Sequence, residues 1–236
     1  MIRELFIKKA GSPAIVITSI LLLLIIIVAM KFPHVQKTYT YLALGDSYTI
    51  GEKVTAEENF PNQVVQLLKE KGFDFKSHEI IATTGWTTDE LQAGIDKATL
   101  KKQYDFVSLL IGVNNQYRGR KVEDYIPEFE SLLNQAIAFS GNKTDHVIVL
   151  SIPDWGVTPF AKDRDQQKIT AEINEYNKAN KAIADKYKVH YIDITESTRK
   201  AAHDSSLLAE DGLHPSGKEY KKWAEAVAGI MKAVLK

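Results

Sequence analysis

The 236-residue sequence contains no cysteine, so disulfide bonds, thiolate metal sites and lipid attachment to a thiol are all excluded. It also has no group of histidine and acidic residues at the spacing of a metal site, and we expect none. The turn after the first predicted strand lacks a glycine-rich phosphate cradle, which argues against a nucleotide- or flavin-binding protein. Internal repeats and low-complexity segments are absent. With 44% hydrophobic and 25% charged residues, the composition is ordinary for one globular domain.

Charge is absent from a segment near the N-terminus. Residues 14–30 form 17 uncharged, mostly apolar positions preceded by Arg3, Lys8 and Lys9, and a transmembrane helix needs about 17 to 20 such positions. The segment has almost no polar stripe, and its bulky C-terminal residues fit a cleavage site poorly. We therefore expect an uncleaved membrane helix, with a cleaved signal peptide as the alternative. The basic residues before it predict that the domain lies outside the cytoplasm.

The formal net charge of zero hides an uneven distribution. Residues 1–37 carry five basic groups and one acidic group, and the remaining residues carry 25 basic and 29 acidic groups. A mildly acidic domain is poorly suited to phosphate backbones, so we expect no nucleic-acid partner. No feature of the sequence indicates an obligate protein partner.

Apolar runs and helical patterns alternate after the linker at 31–37, which predicts one domain over residues 38–236. The predicted strands lie at 39–44, 75–82, 104–111, 147–152 and 189–192, and the predicted helices at 57–71, 88–101, 122–139, 165–186 and 216–234. Five repeats of strand then helix predict a mostly parallel, doubly wound sheet in a three-layer α/β/α sandwich. In such sheets ligands bind beyond the carboxyl ends of the strands.

Five candidate residues map to that edge of the sheet. Ser47 follows the first predicted strand, Gly85 the second and Asn114 the third, and Asp211 and His214 lie in the loop before the last helix. Each has an ordinary interpretation as a helix cap or a turn residue. Their common location favours a single site.

A hydroxyl, an imidazole and a carboxylate are the groups needed to attack a carbonyl carbon. The three residues from Asp211 to His214 span at most about 10 Å, so the carboxylate can reach Nδ1 and leave Nε2 for the Ser47 proton. Asp193, after the fifth predicted strand, is an alternative orienting acid, but nothing places it beside His214.

Acyl transfer also needs donors for the oxyanion, each worth about 10²–10³ in rate. The backbone N–H groups of Ser47 and Gly85 and the side-chain amide of Asn114 are the candidates. Gly85 has no Cβ, which would let a substrate approach its backbone.

With these motifs, residues 38–236 resemble the SGNH/GDSL hydrolase superfamily. The four blocks of that family correspond here to residues 45–48, Gly85, 112–114 and 211–214. The resemblance implies a flavodoxin-like α/β fold and cofactor-independent hydrolysis of esters or thioesters. It also implies that Ser47 is the nucleophile, His214 the base, Asp211 its orienting acid, and that the oxyanion hole consists of Ser47, Gly85 and Asn114. Two departures, Tyr48 for leucine and Asn115 for aspartate, concern packing and pocket polarity.

The candidates for substrate contacts are the side chains of Asn115, Tyr117, Arg118 and Trp155. Arg118 or Arg120 could meet an anionic or sugar-bearing group, because the guanidinium geometry suits such ligands; the alternative is a solvated loop. Trp155 and Phe160 could form a wall of the site or pack beneath their own loop.

The leading functional hypothesis is a membrane-anchored esterase that acts on acyl esters and resembles lysophospholipases. An O-acetylesterase acting on surface carbohydrate is the second. A catalytically silent, membrane-tethered binding module comes from a different class, and the presence of every catalytic group argues against it.

Overall fold

The computed structural model describes residues 37–236, without the side chains of residues 76 and 77. The membrane segment predicted at 14–30 lies outside the described residues, and so does nearly all of its linker. Within 37–236, no helix has both the length and the apolar character needed to cross a bilayer. The predicted anchor, the domain boundary at 37 and 38, and the location of the domain stay predictions.

The sheet has five strands: β1 (Thr38–Asp46), β2 (Asp74–Thr83), β3 (Phe106–Leu110), β4 (Val147–Leu150) and β5 (His190–Ile192). Their order in space is β2-β1-β3-β4-β5, and every neighbouring pair is parallel. All residues of β3 and β4 are buried, as expected for short apolar strands covered on both faces. The predicted α/β fold with a parallel sheet is confirmed.

Helices cover both faces of the sheet. In chain order they are α1 (Ser47–Ile50), α2 (Phe60–Glu70), α3 (Thr88–Lys97), α4 (Val113–Tyr117), α5 (Val122–Phe139), α6 (Gln166–Tyr187), α7 (Thr195–Arg199) and α8 (Gly217–Val234). Helices α2 and α8 pack against each other on one face, and α3, α5 and α6 pack together on the other. The result is the three-layer sandwich that the sequence pattern predicts.

The candidate site lies where the strand order changes direction between β1 and β3. At the carboxyl end of β1, Asp46 is paired with Thr83 of β2, and Gly45 with Leu110 of β3. A Cβ atom at Gly45 would lie 2.5 Å from the Leu110 carbonyl oxygen, so only glycine allows this close approach. The loops after β1, β2 and β3 therefore begin side by side at one edge of the sheet.

Two predicted helices differ from the observed ones by more than one residue at an end. The helix predicted at 57–71 is interrupted at Asn59, whose side chain accepts a hydrogen bond from the Asn62 N–H and donates one to the Ile50 carbonyl. Asn59 thereby caps α2, and a separate 3₁₀ turn precedes it. The helix predicted at 88–101 ends at Lys97, because Ala98 adopts an extended conformation.

Candidate active site

The structure brings Ser47 and His214, from opposite ends of the described chain, into direct contact. Ser47 is the first residue of α1 and follows β1 without a connecting loop. Its Oγ lies 3.0 Å from His214 Nε2, and His214 Nδ1 lies 2.6 Å from Asp211 Oδ2. Ser47 and His214 are 4% and 7% exposed. The three side chains form one continuous hydrogen-bonded chain from hydroxyl to carboxylate.

Asp211 is held by its own turn. Its Oδ1 accepts hydrogen bonds from the backbone N–H groups of Leu213 and His214, both at 3.0 Å, which leaves Oδ2 for the imidazole. Burial raises the pKa of the Asp211 carboxyl, but these hydrogen bonds outweigh it and hold the pKa below its ordinary value. The carboxyl group is therefore ionised at neutral pH.

Asp193, the alternative orienting acid, lies elsewhere. It follows β5 and accepts hydrogen bonds from the Ser151 hydroxyl at 3.2 Å and from the Thr195 N–H at 2.9 Å. These contacts tie it to the β4 and β5 end of the sheet, and the acid in contact with His214 is Asp211.

The histidine loop is fixed by backbone and ring contacts. An antiparallel bridge joins Leu208 to Pro215, and the Ala209 N–H donates to the His214 carbonyl at 2.7 Å. The ring of Tyr48, the residue that replaces the family's leucine, is buried and packs against the His214 ring at 5.0 Å between centroids. The imidazole is thereby held against Ser47 from two sides.

The three candidate oxyanion donors, Ser47, Gly85 and Asn114, line one cavity together with His214. Within residues 37–236, the backbone N–H groups of Ser47 and Gly85 have no hydrogen-bond partner. Gly85 has φ +83°, a conformation that favours glycine, and its carbonyl accepts a 2.6 Å hydrogen bond from Arg118 Nη2. Arg118 thus holds the loop that presents Gly85.

The side-chain amide of Asn114 is positioned by two acceptors. Its Nδ2 donates to the Trp86 carbonyl at 3.0 Å and makes a longer contact of 3.4 Å with Asp46 Oδ2. Burial raises the pKa of Asp46 to about 7, although hydrogen bonds from the Tyr48 N–H and from Asn114 act in the opposite direction. Because the contact with Asp46 is 3.4 Å long, the second Nδ2 hydrogen of Asn114 is only weakly engaged. Asp46 is a supporting residue that the sequence motif presents only as part of a turn.

The structure corrects the expected substrate contact of Asn115. Its side chain is fully buried, accepts from the Thr88 N–H at 3.1 Å and donates to the Thr88 hydroxyl at 2.7 Å. Asn115 therefore joins the loop after β3 to the start of α3 and does not face the cavity. The sequence alone could not distinguish a substrate contact from a structural hydrogen bond, because either role requires a polar residue directly after the third strand.

The two arginines that follow are paired with carboxylates at the start of α3. Arg118 Nη1 lies 3.1 Å from Glu90 Oε1, and Arg120 Nη1 lies 2.6 Å from Asp89 Oδ1. Neither guanidinium lines the cavity beside Ser47. Both guanidiniums are thus engaged in holding loops, and a contact of Arg118 or Arg120 with an anionic or sugar-bearing substrate group stays a prediction.

The cavity has a volume of about 130 Å³, and its walls are mainly apolar. Tyr117, Trp155 and Phe160 form an aromatic cluster along one side, with ring centroids 5.3 Å apart for Tyr117 and Trp155 and 6.0 Å apart for Trp155 and Phe160. Trp155 is buried and donates to Gln116 Oε1 at 2.7 Å, whereas Tyr117 and Phe160 are 42% and 43% exposed. The remaining lining residues are Tyr48, Thr84, Val113 and Leu213.

Comparison with known proteins concerns the family and the fold of the chain. A family model described as the GDSL-like Lipase/Acylhydrolase family matches residues 43–222. No curated protein matches the sequence. The chain is similar in structure to a lipase/acylhydrolase from Enterococcus faecalis, with 20% identity, a TM-score of 0.66, and coverage of 83% of this chain and 96% of that one. It is also similar to an acetylxylan esterase from Geobacillus stearothermophilus, with 18% identity, a TM-score of 0.64, and coverage of 82% and 94%. At these identities the structural likeness concerns the fold alone.

Proposed function

The chain belongs to the GDSL-like lipase/acylhydrolase family and is an ester-bond hydrolase, and on this premise we propose that it cleaves acyl esters through an acyl-enzyme formed on Ser47. The observation that supports this proposal is the hydrogen-bonded chain from Ser47 through His214 to Asp211. A pure binding module has no use for a buried hydroxyl aligned with a base whose second nitrogen meets a carboxylate.

In the proposed reaction, Ser47 Oγ attacks the ester carbonyl carbon while His214 Nε2 takes its proton. The imidazolium then gives that proton to the alcohol oxygen, which leaves, and an acyl-enzyme remains on Ser47. Water attacks the acyl carbon, His214 takes a proton from it, and Ser47 Oγ leaves with that proton. Asp211 stays ionised throughout and stabilises the imidazolium.

The negative charge of each tetrahedral intermediate is received by an oxyanion hole. The unpartnered N–H groups of Ser47 and Gly85 are fixed backbone donors, which need no reorganisation when the charge appears. The side-chain amide of Asn114 completes the set. Rotation of this side chain would turn its second Nδ2 hydrogen from the long contact with Asp46 toward the oxyanion.

The cavity supports an apolar acyl group as the substrate portion held beside Ser47. An engineered apolar cavity of about 150 Å³ binds benzene, so a 130 Å³ cavity accommodates an acyl chain of roughly four to six carbons. The remainder of a longer acyl chain would extend out of the cavity past the exposed edges of Tyr117 and Phe160. An acetyl group would leave most of this space unfilled, so we favour the acyl esterase over the O-acetylesterase.

A chain-length series with the full-length protein tests this preference. For para-nitrophenyl acetate, butyrate, hexanoate and decanoate, we expect kcat/KM to be highest for butyrate or hexanoate and at least about tenfold above acetate, because each buried CH₂ contributes about 0.8 kcal/mol. A maximum at acetate would instead support the O-acetylesterase. Absence of turnover with every ester would contradict both and support the binding module.

A further inference from the structure

Four arginines lie within residues 37–236, and one of them differs from the others. Arg118, Arg120 and Arg199 are each paired with a carboxylate, those of Glu90, Asp89 and Asp154. Among the residues that the structure describes, Arg164 has no carboxylate within 4.0 Å. Its guanidinium instead lies over two aromatic rings, 5.3 Å from the centroid of Tyr117 and 5.8 Å from that of Trp155.

These two rings belong to the wall of the catalytic cavity. Tyr117 and Trp155 line it together with Ser47 and His214, so the Arg164 guanidinium lies against two rings of the cavity wall although Arg164 is not itself a lining residue. A contact of 3.4 Å from Arg164 Nη2 to the Tyr117 hydroxyl is the only hydrogen bond of the guanidinium within 37–236. Most of its five N–H donors are therefore available to a ligand.

The acidic neighbours of Arg164 do not neutralise it by contact. Asp165 accepts a hydrogen bond from the Lys168 N–H at 3.0 Å and caps the start of α6. Asp163 is exposed and forms no ion pair with Arg164 within the described chain. Residues 38–236 carry 25 basic and 29 acidic groups, so an unpaired cation beside the cavity is not part of a generally positive surface.

We propose that Arg164 is a specificity-determining residue that binds an anionic group, a phosphate or a carboxylate, on the ester substrate at the mouth of the cavity. The two rings hold the guanidinium in place through cation–π contacts, which reduces the entropy lost when an anion binds. Its planar arrangement of N–H groups matches both anions in bidentate fashion. This inference rests on the proposed function and assigns to Arg164 the role that the sequence suggests for Arg118 or Arg120.

Matched pairs of substrates test the proposal with the full-length protein. One pair is the mono-para-nitrophenyl ester of glutarate against para-nitrophenyl pentanoate, with the carboxylate on the acyl side. The second is meta-carboxyphenyl pentanoate against phenyl pentanoate, with the carboxylate on the leaving group. The third is hexanoyl glycerol phosphate against hexanoyl glycerol, with a phosphate on the leaving group. The quantity measured is the anionic-to-neutral ratio of kcat/KM.

We expect this ratio to exceed one for at least one pair and to fall about tenfold in Arg164→Met, because a hydrogen bond to a charged group is typically worth about 1.5 kcal/mol or more. Any general change in cavity shape affects both members of a pair and cancels in the ratio. Arg164→Lys should retain part of the preference, and added salt should weaken it in the wild type. Lys162→Met, which removes a neighbouring exposed cation, should leave the ratio unchanged.

Two results would overturn the inference: a wild type that prefers the neutral ester in all three pairs, or a ratio that survives in Arg164→Met. If Arg164→Met fails to fold, the ratio in Arg164→Lys and its salt dependence in the wild type decide instead, and a salt-independent ratio rejects the role of Arg164. Turnover without anionic preference defeats only this inference. No turnover of any of the six esters defeats the proposed function itself.

Discussion

Replacement of Ser47 by alanine is expected to lower kcat on para-nitrophenyl butyrate by about a millionfold, and His214→Ala by a similar factor. The double variant should be no worse than either single one. The reason is that the hydroxyl and the imidazole act as one unit across a 3.0 Å hydrogen bond, so removal of one leaves the other without a function. Steady-state rates of the three full-length variants measure this directly.

Matched controls separate loss of chemistry from loss of fold. Ser131 and His203 are exposed residues away from the cavity, and Ser131→Ala and His203→Ala should keep wild-type rates. Circular dichroism of every variant checks that the fold is retained. The claim that Ser47 and His214 act as one unit would be ruled out by either of two results. One is a kcat of the double variant lowered by the product of the two single losses, and the other is a Ser47→Ala kcat within about tenfold of wild type.

Asp211→Asn is expected to lower kcat by about 10⁴-fold while the turn stays folded. The asparagine oxygen can still accept the Leu213 and His214 N–H groups, as Asp211 Oδ1 does. Its NH₂ group would then face His214 Nδ1, and a donor there forces the ring proton onto Nε2. A protonated Nε2 cannot take the proton of Ser47, so the base is present but in the wrong tautomer.

Asp193→Asn is the matched control for this substitution, because it makes the same chemical change at the acid that the sequence leaves as an alternative. We expect Asp193→Asn to keep activity within about tenfold of wild type, since its contacts are with Ser151 and Thr195. The kcat values of the two variants, compared at one pH, distinguish the acids. A larger loss in Asp193→Asn than in Asp211→Asn would transfer the orienting role to Asp193.

The sequence predicted the sheet and the meeting of the candidate residues because both depend on local patterns. Short apolar runs alternate with helical ones, and parallel strands must all end at one edge. Ser47, Gly85 and Asn114 each follow such a strand, so their proximity can be predicted without knowledge of side-chain packing. Asp211 and His214 are only three residues apart, so a single turn is enough to bring the carboxylate to the imidazole.

What the sequence could not predict depends on pairing between distant segments. In the sequence, Arg118 and Arg120 look like loop residues without an acidic partner. In the structure, Glu90 and Asp89 of α3 form ion pairs with them. Arg164 stands between two aspartates in the sequence, yet its guanidinium lies over the rings of Tyr117, at the end of α4, and Trp155, after β4. Charge pairing of this kind has no periodicity along the chain, and only the assembled fold decides which cation stays unpaired.

The central claim, that Ser47 is a nucleophile activated by His214, is tested most directly by covalent trapping. In ethyl para-nitrophenyl phosphonate, the Ser47 oxygen would displace para-nitrophenolate from phosphorus, and tandem mass spectrometry of the full-length protein would locate the adduct. The account predicts a single adduct on Ser47 in the wild type, formed at least about a thousandfold more slowly in His214→Ala. An adduct on another residue, or a Ser47 adduct whose rate does not depend on His214, would contradict it.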